Sequence, residues 1–371
     1  MAQFTKKNAP QATKIDAPTA TNKGAKKGVF GSLRQLSSKL KNRWPAQAKL
    51  GLSQPEILEV KASAEPAQDA IIQAFSRYDA VSFGEYHWND AFIGFATELV
   101  VSAPFSDVVQ DVVVEFGSSR YQALLDRYIA GEDIADQELN AIVRGSLFFM
   151  AWMPEAYLNF FKAVRARNLS LSEEKKIRIH LAEAPFEWRD DTTKAQWQQA
   201  AKNKVAHFYS VTSRLLAQER KALYIFGAFH LFSAPKSYLA RTSANQWPLV
   251  SQLEARFPNQ IFKVWPLSEA RIVEQLSSLE APALLSTDSP LRRVKLRDLM
   301  PMAKHKLSEM DEPDAQIGDL FDGLLYVGKN QRNDQFPAAV LADEAWVDEM
   351  TRRVKLIGGK MEKKFSQIKR N

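Results

Sequence analysis

The chain of 371 residues contains no cysteine. That excludes a disulfide framework, a thiolate metal site, an iron–sulfur cluster and a cysteine nucleophile. Any metal would have to be held by imidazole, carboxylate or phenolate groups. Histidine is scarce as well, with five residues at 87, 180, 207, 230 and 305. No apolar run approaches the roughly 18 to 20 residues that cross a bilayer. The opening MAQFTKKNAPQATK has no apolar segment of the signal-peptide kind. These absences predict a soluble, cytoplasmic protein, and no repeat of solenoid period is present.

Acidic residues are nearly missing from both ends. Residues 1–50 carry 11 Lys and Arg against Asp16, and residues 352–371 carry eight against Glu362. The overall charge of +7 therefore belongs to the ends, and residues 51–351 carry a net charge of −10. An acidic body is poorly suited to tracking phosphates along a groove, so no sequence-specific nucleic-acid partner is expected.

Residues 1–28 hold few large apolar side chains and cannot offset the entropy of ordering, which predicts a disordered basic tail. Within 29–50, Val29, Leu33, Leu36, Leu40 and Trp44 recur at steps of three and four between basic residues. This predicts a short basic amphipathic helix that either touches an anionic membrane surface weakly or packs on the body as an arm. A tail and helix of this kind would also suit the address of a delivered or membrane-targeted effector. Residues 51–351 read as one domain with an irregular excursion near 281–318, and 352–371 as a basic C-terminal tail.

With 45% apolar residues the body can bury a normal core. From about residue 66, helical patterns alternate with short apolar strands at 80–83, 111–117, 176–184, 222–230 and 260–267, with a last strand within 321–329. Long helical stretches between strands require crossover connections. The expected fold is α/β, a mostly parallel sheet with flanking helices and a ligand site at the carboxyl ends of the strands.

Those strand ends deliver a non-random set of side chains. The first gives Glu85 and His87, the second Glu115, the third His180 or Glu183, and the fourth His230. Two of the histidines follow a strand as Gly-x-x-His, where Gly84 and Gly227 let the backbone turn without a Cβ in the way. Two imidazoles and one or two carboxylates suit a divalent metal with open positions, with Glu85, His87, Glu115 and His230 as ligands. They equally suit metal-free catalysis, with His87 as general base, Glu85 or Glu115 orienting it, and His230 or Arg120 stabilising negative charge. The residue pattern leaves both readings open. His207 and His305 are assigned no role.

Gly84-Glu85-x-His87 followed by Asn89, a strand ending in Glu115, Gln122-Ala-Leu-Leu-Asp126-Arg-Tyr128 with Gly131, and Gly227-Ala-Phe-His230 together resemble the ChaN-like and erythromycin-esterase-like group. That group is related to the TIKI and TraB proteins, and the resemblance spans roughly residues 68–330. Likeness to the esterases implies a hydrolase in which His87 is the general base, Glu85 and Glu115 are pocket carboxylates and His230 is a second essential imidazole. Likeness to the TIKI proteins implies that the same residues hold a divalent metal for peptide hydrolysis. The single residue between Glu85 and His87 is nearer the ChaN-like spacing, which implies haem binding. In that alternative Tyr86 or His87 is the axial ligand and Phe83, Phe116 and Phe229 form walls. The expectation is therefore a hydrolase of an ester or amide in a small molecule or peptide, with a non-enzymatic haem-binding protein as the alternative.

Overall fold

An eight-stranded sheet organises the computed structural model, which describes residues 51–300, 303–329 and 335–368. The tail at 1–28 and the helix expected within 29–50 lie outside the described residues. The strands are β1 (Ala64–Pro66), β2 (Ala80–Glu85), β3 (Asp111–Ser118), β4 (Arg178–Glu183), β5 (Ala222–Gly227), β6 (Ile261–Leu267), β7 (Ala283–Ser286) and β8 (Gly323–Tyr326). Their order across the sheet is β1-β7-β8-β6-β2-β5-β3-β4. The six strands from β8 to β4 are mutually parallel, whereas β7 is antiparallel to both β8 and β1. The sheet is thus mixed but mostly parallel.

Register decides where the side chains emerge. Ala80 pairs with both Ala222 and Ile261, and Asp111 pairs with both Ala222 and Arg178. Five central strands therefore start level, and their carboxyl ends come out along one edge.

Alternation along each strand supplies two opposite faces. Val112, Val114, Phe116, Leu223 and Ile225 pack in one core with the helices Asp90–Val101 and Glu155–Asn168. Val113, Tyr224 and Phe226 pack on the other side against Phe208, Leu215 and Leu216 of the helix Lys194–Ala217. That 24-residue helix begins in a capping box between Thr193 and Gln196, a device that stabilises a helix start by about 1 kcal/mol. Among the described residues no helix is long and apolar enough to cross a membrane.

The amino edge of the sheet carries an ion cluster. Asp111 is buried, and its carboxylate accepts from Arg178, from Arg220 at 2.6 Å and from His180 Nε2 at 2.7 Å. Burial works against the ionised carboxyl, but His180 and Arg178 outweigh it and hold Asp111 well below the usual carboxylate range. His180 is therefore committed to joining β4 to β3, and Glu183 is the residue that β4 carries to its carboxyl end.

Two stretches differ from the expectation. The segment 281–318 contains β7 and several short helices, with Leu285, Leu291, Leu296, Leu299 and Ile317 buried. Four-residue elements are too short to display a period. The C-terminal stretch, expected as a basic tail from 352, holds the end of a helix Glu344–Ile357 and a second helix Gly359–Ile368. Val354, Ile357, Phe365 and Ile368 are buried in the main core. Each helix contributes a pair three residues apart to that core, while Lys355, Lys360, Lys363 and Lys364 are exposed. Arg353, itself buried, is packed against the rings of Phe149, Trp188 and Trp346 and donates to the Arg144 carbonyl.

Candidate functional site

The backbone after β2 turns sharply. Asn89 N–H donates to the Tyr86 carbonyl, Trp88 adopts a left-handed φ of +71°, and the Asn89 side chain caps the helix Asp90–Val101. A buried Trp in that conformation is strained. The position is fixed because its indole Nε1 donates to the Met150 carbonyl at 3.1 Å and its backbone N–H to the Tyr157 hydroxyl. The turn folds His87 back over Glu85. Imidazole Nδ1 meets Glu85 Oε1 in a short contact, while Glu85 Oε2 accepts from the Tyr157 hydroxyl at 3.2 Å. Glu85 is only 2% exposed, and the His87 side chain is 41% exposed. The pair is thus a buried carboxylate orienting an accessible imidazole.

Glu115 arrives from the opposite face of the sheet. Pairing of β3 with β5 ends at Val114 and Ile225, and the Glu115 carboxylate then accepts the Gly227 N–H at 2.7 Å. Lys204 Nζ lies 3.4 Å and His230 Nε2 3.6 Å from its other oxygen. Lys204 projects from the Lys194–Ala217 helix four residues before the buried Phe208, and His230 from the 3-10 turn Ala228–Leu231 that follows β5. Gly227 is where the two groups meet. A Cβ there would lie 3.1 Å from Glu115 Oε2, 3.1 Å from His87 Cε1 and 3.5 Å from His87 Nε2. Its missing side chain lets the imidazole edge and the carboxylate approach. At Gly84 a Cβ would instead press on Pro266 at 2.7 Å, so that glycine answers to packing and not to a ligand.

The electrostatics follow from these neighbours. Around His87, crowding by protein opposes the charged ring, but Glu85 and then Glu115 outweigh it and raise the imidazole pKa above its ordinary value. His230 is lowered, because burial disfavours its charge more than Glu115 favours it. Burial also works against ionised Glu115, yet Lys204, His230 and His87 hold it well below the usual carboxylate range. Glu183 completes the edge, accepting from Leu147 N–H, Phe148 N–H and Trp152 Nε1. Burial pushes it up to about 7, with Lys204 pulling against the shift and Glu115 adding to it.

The expected residues are not all brought together. Glu85, His87, Glu115 and His230 lie in one neighbourhood around Gly227 and the end of the second strand. Arg120 does not join them, since its guanidinium pairs with Glu187 at 2.7 Å in an exposed ion pair. Tyr86 turns to the other side of the strand, where its hydroxyl donates to Met300 Sδ at 3.0 Å and its ring packs edge-on against Phe92 and Trp265. Phe83 and Phe116 are buried in the main core, and Phe229 stacks on Phe232 in a different cluster. Tyr86, His87 and these rings therefore do not face one cavity, and they do not fit a haem site.

A divalent metal fits no better. Among the described residues no group of three or more His, Asp and Glu is gathered to hold a metal ion. The Glu115 oxygens that a metal would need are engaged by the Gly227 N–H and faced by the Lys204 ammonium.

A cavity of about 310 Å³ opens beside the pair, bordered by His87, Glu115 and Lys204 and walled by Trp88, Phe148, Met150, Trp152 and Met361. Trp152 packs edge-on against the imidazole with ring centres 4.6 Å apart. A larger cavity of about 690 Å³ runs along the outer edge of β4 past Gln122, Arg178, His180 and His207. There Arg178 and His180 are tied to Asp111, and the Gln122 amide satisfies both Ile179 C=O and Leu181 N–H. Its carboxylate-bound imidazole, His180, shares Asp111 with two arginines and is 16% exposed against 41% for His87, so the smaller cavity is the better chemical candidate.

Sequence reasoning missed Tyr157, Lys204 and Trp152. Lys204 had a signal: it shares a helical stripe with Phe208, Val211 and Leu215, and a lysine on such a stripe needs a partner. Tyr157 had none, since it continues the apolar pattern of Phe160, Phe161 and Val164.

No family model and no curated protein matches the chain. Solved structures of distant similarity include the following three. A succinoglycan biosynthesis protein is 10% identical with a TM-score of 0.47, over 75% of this chain and 97% of its own. A Bacillus cereus protein is 10% identical with a TM-score of 0.43, over 81% and 99%. The type III effector HopBA1 is 14% identical with a TM-score of 0.33, over 56% and 85%.

Proposed function

We propose that this protein hydrolyses an ester or amide bond in a small molecule or peptide bound at the carboxyl edge of the sheet, using His87 as the general base. The observation that carries the reading is the Glu85–His87 contact: a buried carboxylate, itself held by Tyr157, bonded to one nitrogen of an accessible imidazole at the lip of a cavity. The motif resemblance to the erythromycin-esterase-like group supports the same chemistry.

In this mechanism the Glu85 contact fixes the His87 ring and stabilises the imidazolium that forms during the reaction. His87 Nε2 takes a proton from water, and the water oxygen adds to the carbonyl carbon. The carbonyl π electrons move to oxygen, and the nearby Lys204 ammonium stabilises that negative charge. Glu115 holds Lys204 in place, and His230, which burial shifts toward its neutral form, helps to hold Glu115. Collapse of the intermediate breaks the bond to the leaving group, which takes the proton back from His87.

The test is a panel of nitrophenyl esters and short peptide amides with the full chain. His87→Ala should lower kcat/KM by at least about 100-fold, within the range general-base catalysis supplies. Arg120→Ala, which removes only an exposed pair, should leave kcat unchanged. Normal turnover by a folded His87→Ala variant would end the proposal.

A further inference from the structure

One stretch of chain, residues 146–152, supplies Phe148, Met150 and Trp152 to the wall of the cavity beside His87. Its only regular piece is the 3-10 turn Phe149–Trp152, so side chains have to satisfy its backbone. Three indoles hold its carbonyls: Trp188 Nε1 donates to Ser146 C=O at 2.9 Å, Trp197 Nε1 to Leu147 C=O at 3.1 Å and Trp88 Nε1 to Met150 C=O at 3.1 Å. Three of its donors converge on one side chain, Glu183. One carboxylate oxygen accepts from Leu147 N–H and, at 3.4 Å, from Phe148 N–H, and the other accepts from Trp152 Nε1 at 3.3 Å.

Glu183 is 1% exposed, and burying a carboxylate is costly. A neutral amide could not replace it, because glutamine offers one acceptor oxygen and would turn its NH2 against one set of donors. The mechanism gives Glu183 no part, yet the two rings that it anchors each meet a group that the mechanism uses. Trp152 lies edge-on to the His87 imidazole with ring centres 4.6 Å apart. Lys204 Nζ, paired with Glu115, stands 4.7 Å from the centre of the Phe148 ring.

We propose that Glu183 is a positioning residue, which seats Trp152 against the His87 imidazole and Phe148 against the Lys204 ammonium and so sets base and cation in register across the cavity. The parts played by His87 and Lys204 rest on the hydrolase reading. The seating of the rings can be measured without turnover. One carboxylate that fixes the ring neighbours of both groups lets neither shift alone, and small misplacements of reacting groups are costly.

The experiment follows two magnetic resonances of the full-length protein, the His87 ring Cε1–H, assigned with His87→Ala, and the Trp152 indole N–H, assigned with Trp152→Phe. Glu183→Gln should move the His87 resonance, on which the ring current of Trp152 acts, and should speed solvent exchange of the Trp152 indole N–H by about tenfold or more. Glu183→Asp keeps the charge but draws the oxygens back by one methylene. It should change both signals in the same direction, which separates placement from charge and carries the test if the Gln variant does not fold. Trp188→Phe cuts an anchor of the same stretch at its first residue, Ser146, and should lower the thermal melt without moving the His87 resonance. With nitrophenyl esters, both Glu183 variants should lower kcat by about tenfold or more and change KM less.

A Glu183→Gln variant that melts lower but keeps the His87 resonance and the Trp152 exchange rate overturns the inference, because its role is then structural only. A His87 resonance moved as far by Trp188→Phe overturns it too, as does a normal kcat in variants whose signals have moved. If the wild type cleaves no ester or amide, the hydrolase reading falls, and the two signals still decide whether Glu183 seats the rings.

Discussion

Replacing Asp111 by Asn tests whether the ion cluster at the amino edge of the sheet holds β3, β4 and β5 together. The carboxylate is 3% exposed and receives Arg178 on both oxygens, with Arg220 and His180 sharing one of them. An asparagine keeps one acceptor oxygen, but its NH2 would face an Arg178 donor, and the negative charge is gone. Breaking a buried ion pair costs about 3–5 kcal/mol. Arg178 and Arg220 are 46% and 35% exposed, so water takes over part of their solvation and the lower end, about 3 kcal/mol, is expected. With a urea slope of about 3 kcal/mol/M the unfolding midpoint should fall by about 1 M at pH 7. The pH dependence supplies a second check. Asp111 is held below its ordinary pKa of 3.8 in the fold, so its contribution is present above that value and fades as pH falls toward the folded pKa. The gap between wild type and variant should be constant from pH 5 to 8 and shrink below about pH 4. Coincident urea curves at pH 7 would refute the reasoning, as would a gap that persists unchanged at the lowest pH where both remain folded.

The site yields three further expectations. Because Glu85 raises the His87 pKa and the base must be neutral, activity should rise with pH through an apparent pKa above 6.5. Glu85→Gln should move that limb to lower pH and reduce the plateau, and a wild-type limb below 6.5 would contradict the Glu85 effect. Tyr157→Phe deletes the donor to Glu85 and the acceptor for the Trp88 N–H. It should cost about 1–2 kcal/mol in denaturant unfolding and lower kcat more than it changes KM; an unaltered kcat would show that Glu85 needs no such support. Gly227→Ala places a Cβ 3.1 Å from both Glu115 Oε2 and His87 Cε1. It should lower kcat/KM by about tenfold or more, since small misplacements of catalytic groups are costly, while the melting temperature shifts by only a few degrees. Full activity in that variant would mean that His87 and Glu115 do not work at close quarters.

What could be read from the sequence is set by where the physics is local. The strands Ala80–Glu85, Asp111–Ser118 and Ala222–Gly227 are buried, largely apolar runs between helices, so their composition and length announce them, although the last ends at Gly227 and not at the expected 230. The parallel sheet follows from the length of the crossovers. Glu85, His87, Glu115 and His230 were legible for the same reason: each is a polar residue leaving a buried strand. Tyr86 sits between two of them, and alternation alone sends it to the other side. Arg120 was misplaced because a position five residues past Glu115 says nothing about direction once a 3-10 turn intervenes at Ser119–Tyr121. β1 and β7 are three and four residues long, and their pairing is a long-range fact with no local trace.

The C-terminal helix shows the limit most clearly, because its charge concealed its pattern. Counted as a composition, residues 352–371 are a basic tail. Counted by position, Val354, Ile357, Met361, Phe365 and Ile368 form one apolar stripe, and Lys360 and Lys364 flank it at the edge that meets the cavity. Net charge averages over faces, whereas packing separates them. The consequence reaches the chemistry. Shortening the chain at residue 358 would be harmless to a protein with a free tail, but here it removes Met361 from the cavity wall and uncovers the side of Trp88 against which Lys364 rests. Such a truncation should retain the Glu85–His87 pair, whose supports Tyr157 and Met150 lie elsewhere, and should raise KM more than it lowers kcat. Loss of kcat with KM unchanged would show instead that the helix acts on the imidazole and not on the substrate.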